Sequence, residues 1–214
     1  MGKMNSRPEE LKRPGGFLIT ERAITICGFQ KGARIIDIGC GSGASCRYLT
    51  DNYGLDVSGI DKELDAELIS AKMIRASSGQ IPFYDNYADG IFMECSFSLM
   101  ENQASVLSEC SRTLKEKGKL IISDMYARGE AAQFSGCLGK IETRENIISL
   151  LEDNFFSIEH FEDFTHLLKT MWGQMILDKG AESFYCGLGV NPEIVKRVKC
   201  GYYLLIASKR ESKF

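Results

Sequence analysis

Apolar and polar positions along this chain come in blocks, and the block lengths predict the elements. Short apolar-rich runs stand at 35–38, 55–60, 91–95 and 120–125, each entered from a glycine or a charged residue. Such runs read as buried strands. Between them, apolar positions recur at helical spacing. Residues 17–27 form one such segment, stopped by Gly28, and 44–53 another, stopped by Gly54, since glycine suits the left-handed end of a helix. In 101–115, Ala104, Leu107, Cys110 and Leu114 share one face, which places Cys110 in the core. After the run at 55–60 and a short helix over 63–73, only 72–76 is left for a third strand, which is expected to be very short or frayed.

The last third is patterned differently. Residues 127–141 are glycine-rich. Thr143 can cap a helix through Asn154 that buries Ile147, Ile148, Leu150 and Leu151. Residues 155–162 alternate as a strand, with His160 on the same face as Phe156 and Ile158, so this histidine reads as packed. Apolar residues at 164, 167, 168, 171, 172, 175 and 176 then make the most regular helical stripe in the chain. The stripe carries Met171, Trp172 and Met175, while His166 and Lys169 fall off it. Asn191 before Pro192 is the cap-then-proline order of another helix, and 201–208 is the last strand. Residues 163–200 therefore form a helical insertion. Its stripe either docks on the core or roofs a substrate pocket.

Strands alternating with helices predict an α/β fold. The candidate chemistry lies where the first strand ends, in Arg34-Ile35-Ile36-Asp37-Ile38-Gly39-Cys40-Gly41-Ser42-Gly43. A strand breaking into a glycine turn before a helix opens a nucleotide-binding βαβ unit. With Ala44 the turn fits G-x-G-x-x-A, a dinucleotide fingerprint. With Asp37 it fits D-x-G-x-G-x-G. A dinucleotide would bring an anionic pyrophosphate beside Asp37, which repels it. A ligand presenting an ammonium group and no phosphate suits Asp37, and S-adenosylmethionine (SAM) is such a ligand.

This stretch resembles the first motif of the class I, Rossmann-like SAM-dependent methyltransferases, of the small-molecule type 11 group. The resemblance covers about 30–125. Asp61 stands at the end of the second strand, where βαβ sites place an acidic residue on the ribose hydroxyls. It could instead cap a helix. Residues 77–90 resemble the family's D-A-x-x-L-P-F-x-D-x-x-F-D segment beside adenine. Aligned on Pro82-Phe83, Ser77 and Ser78 replace the usual aspartate and alanine. A basic, glycine-containing turn between Arg112 and Asp124 also matches.

The resemblance implies a doubly wound, seven-stranded, mostly parallel sheet of order 3-2-1-4-5-7-6, with helices on both faces. It implies SAM as cofactor and S-adenosylhomocysteine as product. The expected cofactor contacts are Asp37, Gly39, Cys40, Gly41, Gly43, Asp61, Lys62, Ser77, Ser78, Glu94, Cys95 and Ser96. Arg13 joins them if 13–16 is a flap whose arginine meets a carboxylate. The acceptor nucleophile attacks the sulfonium methyl in line. Should it need a base, Glu94, Tyr126 and His166 are the candidates, and Asp124 and Tyr126 could face the acceptor. The rival readings are a nicotinamide-dependent oxidoreductase and a non-catalytic SAM-binding or assembly protein.

Composition narrows the partners. The 214 residues, 44% of them hydrophobic, suit one domain at 13–214 behind a polar tail at 1–12, with an N-terminal loop and helix at 13–28. A net charge of −3 and a pI near 5.6 lack the basic footprint of a duplex binder. The eight cysteines include no C-x-x-C pair or zinc spacing, so no metal is expected. The first ten residues have no apolar signal core, and no run approaches the ~20 residues of a membrane span. A cytoplasmic monomer or homodimer acting on a small molecule is the expectation, with neither nucleic acid nor membrane as partner.

Overall fold

The first apolar run forms β1 (Arg34–Ile38), whose Ile35, Ile36 and Ile38 are at most 1% exposed. A computed structural model describes residues 13–210, apart from the side chain of Cys137. The tail predicted at 1–12 lies outside the described residues. Each fully buried isoleucine stabilises the fold by ~1.5–3 kcal/mol, which makes β1 the natural centre of the sheet. It pairs in parallel with β2 (Asp56–Asp61) on one side and β4 (Ala88–Glu94) on the other. β3 (Met73–Arg75) closes one edge. Beyond β4 come β5 (Leu114–Ala127), then β9 (Cys200–Lys209) and β8 (Phe156–Asp163), the last two pairings antiparallel. The order β3-β2-β1-β4-β5-β9-β8 is the expected 3-2-1-4-5-7-6. A two-stranded hairpin, β6 (Ala132–Gln133) with β7 (Lys140–Ile141), lies outside this sheet.

Side chains alternate across a strand, so the sheet has two cores. On one face Ile35, Phe92, Ile121 and Tyr202 pack with α1 (Leu18–Cys27), α2 (Ala44–Tyr53) and the insertion helices. On the other, Ile36, Ile91, Ile122 and Tyr203 pack with α3 (Gln103–Thr113) and α4 (Arg144–Asp153). Cys110 is fully buried in this second core. Thr143 accepts the Asn146 amide and caps α4.

Several local expectations need correction. The helix expected over 63–73 is a single 3-10 turn, Ala66–Leu68. The stretch between β2 and β3, residues 62–72, is close to the shortest crossover between parallel neighbours that can hold a helix. The basic turn at 115–119 is an irregularity inside β5. The register jumps there from Ala88↔Leu114 to Gly90↔Lys119, and Lys117 takes φ 60°. The insertion holds three helices: α5 (Thr165–Lys179), α6 (Ala181–Leu188) and α7 (Pro192–Val198). The flanking glycines hide α6 from pattern reading. Leu168 is 1% exposed and Leu167, Met171 and Trp172 pack on the first core, so the stripe docks on the core. It also meets the N-terminal loop, for a Cβ added to Gly15 would lie 2.6 Å from Leu167 Cδ1.

Candidate functional site

A cavity of about 750 Å³ opens at the carboxyl ends of the parallel strands. Gly39 follows β1, Asp61 ends β2, Ser77 and Ser78 follow β3, and Cys95 and Ser96 follow β4; all of them line it. Lys62 lines it too. Ligands bind at such strand ends because helix N-termini and loop amides converge there. The segment after β4 makes the far wall, with Leu99, Met100, Glu101 and Asn102, and Gly136 reaches in from the hairpin region.

The glycine turn is shaped by close approach. Gly39 takes φ 77°, and a Cβ there would fall 2.5 Å from Ser96 Cβ. Ser96 is fixed in place, its hydroxyl donating to Ile38 O at 2.7 Å. The Asp61 carboxylate accepts the Gly41 amide at 3.0 Å and the Glu63 amide at 2.8 Å. Cys40 turns its side chain inward, where it occupies the space that a side chain at Gly59 would need. Its contribution to a ligand is therefore confined to its backbone. Ser77 accepts the Gly79 amide at 3.3 Å, which shapes the turn after β3.

Period-two alternation sends Asp37 and Glu94 to the same face of the sheet, because Asp37 is in register with Phe92. Arg13 reaches Glu94 from the N-terminal loop. Its Nη1 lies 2.5 Å from Glu94 Oε2 and 3.1 Å from Ser45 Oγ, and its Nη2 donates to Thr20 Oγ1 at 2.7 Å. Thr20 donates onward to Glu94 Oε1 at 2.7 Å, and Ser45 to Glu94 Oε2 at 2.8 Å. The Arg13 and Glu94 side chains are 9% and 4% exposed. Burial and the nearby Glu94 push the Asp37 carboxyl up to about 7, against the pull of Arg13. Cys46 donates to Asp37 at 3.4 Å. Thr20 and Ser45 carry no sequence signal for this role.

Cys95 holds φ 54°, unusual for a residue with a side chain. Its sulfur lies 2.9 Å from the hydroxyl of Tyr202, which donates to Ser123 O at 3.2 Å. Burial pushes the Cys95 thiol up to about 12, so it remains a thiol. Asp124 accepts the Ser98 amide at 2.8 Å, the Ser98 hydroxyl at 3.0 Å and the Met125 amide at 2.7 Å. It thereby holds the loop after β4 in place and does not face a ligand.

The candidate bases are not brought together at the cavity. Glu94 is engaged by Arg13, Thr20 and Ser45. Tyr126 packs edge-on to Phe161 and Tyr203 and donates to Asp163, on the second-core side. His166 is exposed on α5, beside Phe164. Among the described residues, no group of three or more His, Cys, Asp or Glu side chains could hold a metal ion, and no helix is long and apolar enough to cross a membrane.

The donor set fits SAM better than a dinucleotide. Asp37 lies beneath the glycine turn, where a carboxylate repels a pyrophosphate, while Asp61 at its edge suits ribose hydroxyls in either ligand. An ammonium group suits Asp37. Comparisons with known proteins agree. The family described as "Methyltransferase domain", type 11, matches residues 36–122. A glycine/sarcosine/dimethylglycine N-methyltransferase of Actinopolyspora halophila is 28% identical over 67% of this chain, which spans 29% of that longer protein. A sarcosine/dimethylglycine N-methyltransferase of Halorhodospira halochloris is 24% identical over 78% of this chain and 67% of its own length. Among solved structures, geranyl diphosphate C-methyltransferase of Streptomyces coelicolor, with S-adenosylhomocysteine bound, superposes with a TM-score of 0.72 over 89% of this chain and 79% of its own, at 17% identity. The turn, the strand order and these likenesses agree: residues 36–122 match the type 11 methyltransferase domain, and together they support a class I, Rossmann-like SAM-dependent methyltransferase.

Proposed function

We propose that the protein transfers the methyl group of SAM to a small-molecule amine that enters over the carboxyl ends of β4 and β5. The observation that carries this reading is the cavity itself, lined by Gly39 of the glycine turn, Asp61, Cys95 and Ser96. When bound, the cofactor supplies an electrophilic methyl carbon on a sulfonium. Asp61 would hold the ribose hydroxyls and Gly39 the amino-acid tail close to the backbone. Ser77 and Ser78 would face the base. Asp37 would take the ammonium group.

An amine is favoured for two reasons. A neutral amine brings its own lone pair, so no base must remove a proton before attack. Glu94, the nearest candidate base, is already held by three donors. The relatives named above as N-methyltransferases support the same class. Alignment of donor and acceptor is then the protein's main contribution, worth up to ~7–11 kcal/mol. We take the protein to work as a monomer or homodimer in a reducing compartment, with its cysteines as thiols.

The test has two stages. Calorimetry should show S-adenosylhomocysteine binding and NAD or NADP inert; the reverse result would favour the oxidoreductase. Incubation with methyl-labelled SAM and a panel of primary, secondary and tertiary amines should then release S-adenosylhomocysteine with label in one product. Tight cofactor binding with no transfer across the panel would favour a non-catalytic SAM-binding protein.

A further inference from the structure

Gly39 and Cys95 line the cavity, while Arg13, Thr20, Ser45 and Glu94 do not. The polar network of these four residues adjoins the cavity through Glu94, which directly precedes Cys95. We propose that Arg13 and Glu94 form a latch that shuts the amino-acid end of the cofactor site. Cofactor binding is then an exchange in which the ligand's carboxylate replaces Glu94 on Arg13. The inference rests on the placement of the cofactor tail proposed above.

Three observations carry it. First, the network closes on itself. Both Glu94 oxygens accept hydrogen bonds, and four of the five guanidinium N–H groups of Arg13 are used, counting its Nε bond to Gly16 O at 3.0 Å. Such a ring, beside the cavity, must open before Arg13 can take another carboxylate. Second, its charge is unbalanced. Asp37 and Glu94 are two carboxylates against one guanidinium, which is why Glu94 pushes the Asp37 carboxyl up. An ammonium group beside the two acids offsets their mutual repulsion, while the ligand's carboxylate takes the place on Arg13 that Glu94 leaves. Third, opening the latch with nothing to replace it leaves buried charges unpaired. It therefore holds until a ligand with a carboxylate arrives. The Arg13 segment also touches Leu167 of α5 through Gly15, so release of the latch is felt at the insertion.

The latch separates ligands with an amino-acid tail from those without. S-Adenosylhomocysteine must open it, whereas 5′-methylthioadenosine, which has no tail, fills only the cavity already present. Stopped-flow association of both ligands with the wild type, Glu94→Gln and Thr20→Val is the test. A tenfold larger open population raises the association rate tenfold. Glu94→Gln should speed S-adenosylhomocysteine association by about tenfold and leave 5′-methylthioadenosine unchanged. Thr20→Val, which removes the hydroxyl joining the two partners, should act in the same direction more weakly. Binding of 5′-methylthioadenosine also reports that each variant is folded, and Thr20→Val carries the test if Glu94→Gln is not. An unchanged or slower S-adenosylhomocysteine rate in the folded variants overturns the latch, and so does an equal gain for both ligands. If S-adenosylhomocysteine fails to bind the wild type, the tail placement falls with it, a distinct outcome.

Discussion

One oxygen of Asp61 accepts the Gly41 amide at 3.0 Å and the other accepts the Glu63 amide at 2.8 Å. The carboxylate thus ties the end of β2 to the glycine turn of β1. Each oxygen has two lone pairs, so each can still accept a ribose hydroxyl. Asp61→Ala is expected to weaken S-adenosylhomocysteine binding by ~1–3 kcal/mol, the range for lost charged hydrogen bonds. Asp61→Asn should cost less, its amide oxygen keeping one backbone partner. Titration calorimetry that finds both variants equal to the wild type would remove the ribose assignment.

Asp37 makes cofactor binding depend on pH near neutrality. Burial and Glu94 raise its carboxyl from 3.8 to about 7, with Arg13, Cys46 and Asp61 as the other groups that act on it. A raised carboxyl means the folded state holds a proton that the unfolded state has lost. Its contribution to stability is full below 3.8, declines as pH rises toward 7 and is level above that. An ammonium ligand needs the ionised form. Affinity for S-adenosylhomocysteine should therefore tighten about tenfold from pH 6 to pH 8, with proton release on binding. Calorimetry in buffers of different ionisation enthalpy reads that release, and Asp37→Asn should flatten the profile.

Gly39 and Ser96 are in contact across the sheet. Gly39→Ala forces a Cβ to 2.5 Å from Ser96 Cβ at φ 77°. Strain of this kind costs ~1–3 kcal/mol, and the melting temperature should fall by several degrees. Adding Ser96→Gly removes the clash but not the positive φ, and it also removes the hydroxyl bond to Ile38 O. The double variant should recover part of the loss. No recovery at all would mean that backbone conformation, not contact, dominates.

Ser77 stands where the resembled family carries an aspartate. A hydroxyl accepts from the adenine amino group more weakly than a carboxylate does. Ser77→Asp should tighten S-adenosylhomocysteine by ~1 kcal/mol, the difference between neutral and charged hydrogen bonds. Weaker binding would show that the base does not lie against the turn after β3.

The parts of the site that could be read early are contiguous in sequence. Asp37 and the three glycines stand within seven residues, and Asp61 ends the next strand. The Arg13–Glu94 pair spans 81 positions. No pattern along the chain reveals it, because it depends on which face of β4 Glu94 takes and on how α1 brings in Thr20. Tyr126 shows the same limit. It closes β5, but its side chain goes to the Asp163 side of the sheet, so its place at a strand end misleads. The insertion was half legible: the regular stripe of α5 announced a helix, while glycines at 180, 187 and 189 concealed α6.

By itself, the order of residues determined the alternation of strands and helices, the glycine turn and the kind of ligand that turn admits. These follow from local sterics, side-chain period and the charge of neighbouring residues, all of which act over a few positions. Tertiary structure alone decided that Arg13 pairs with Glu94, that neither of them lines the cavity, and that the three candidate bases are engaged or exposed elsewhere. Those outcomes depend on strand register and on the face each side chain takes, which the chain settles only when distant segments pack together.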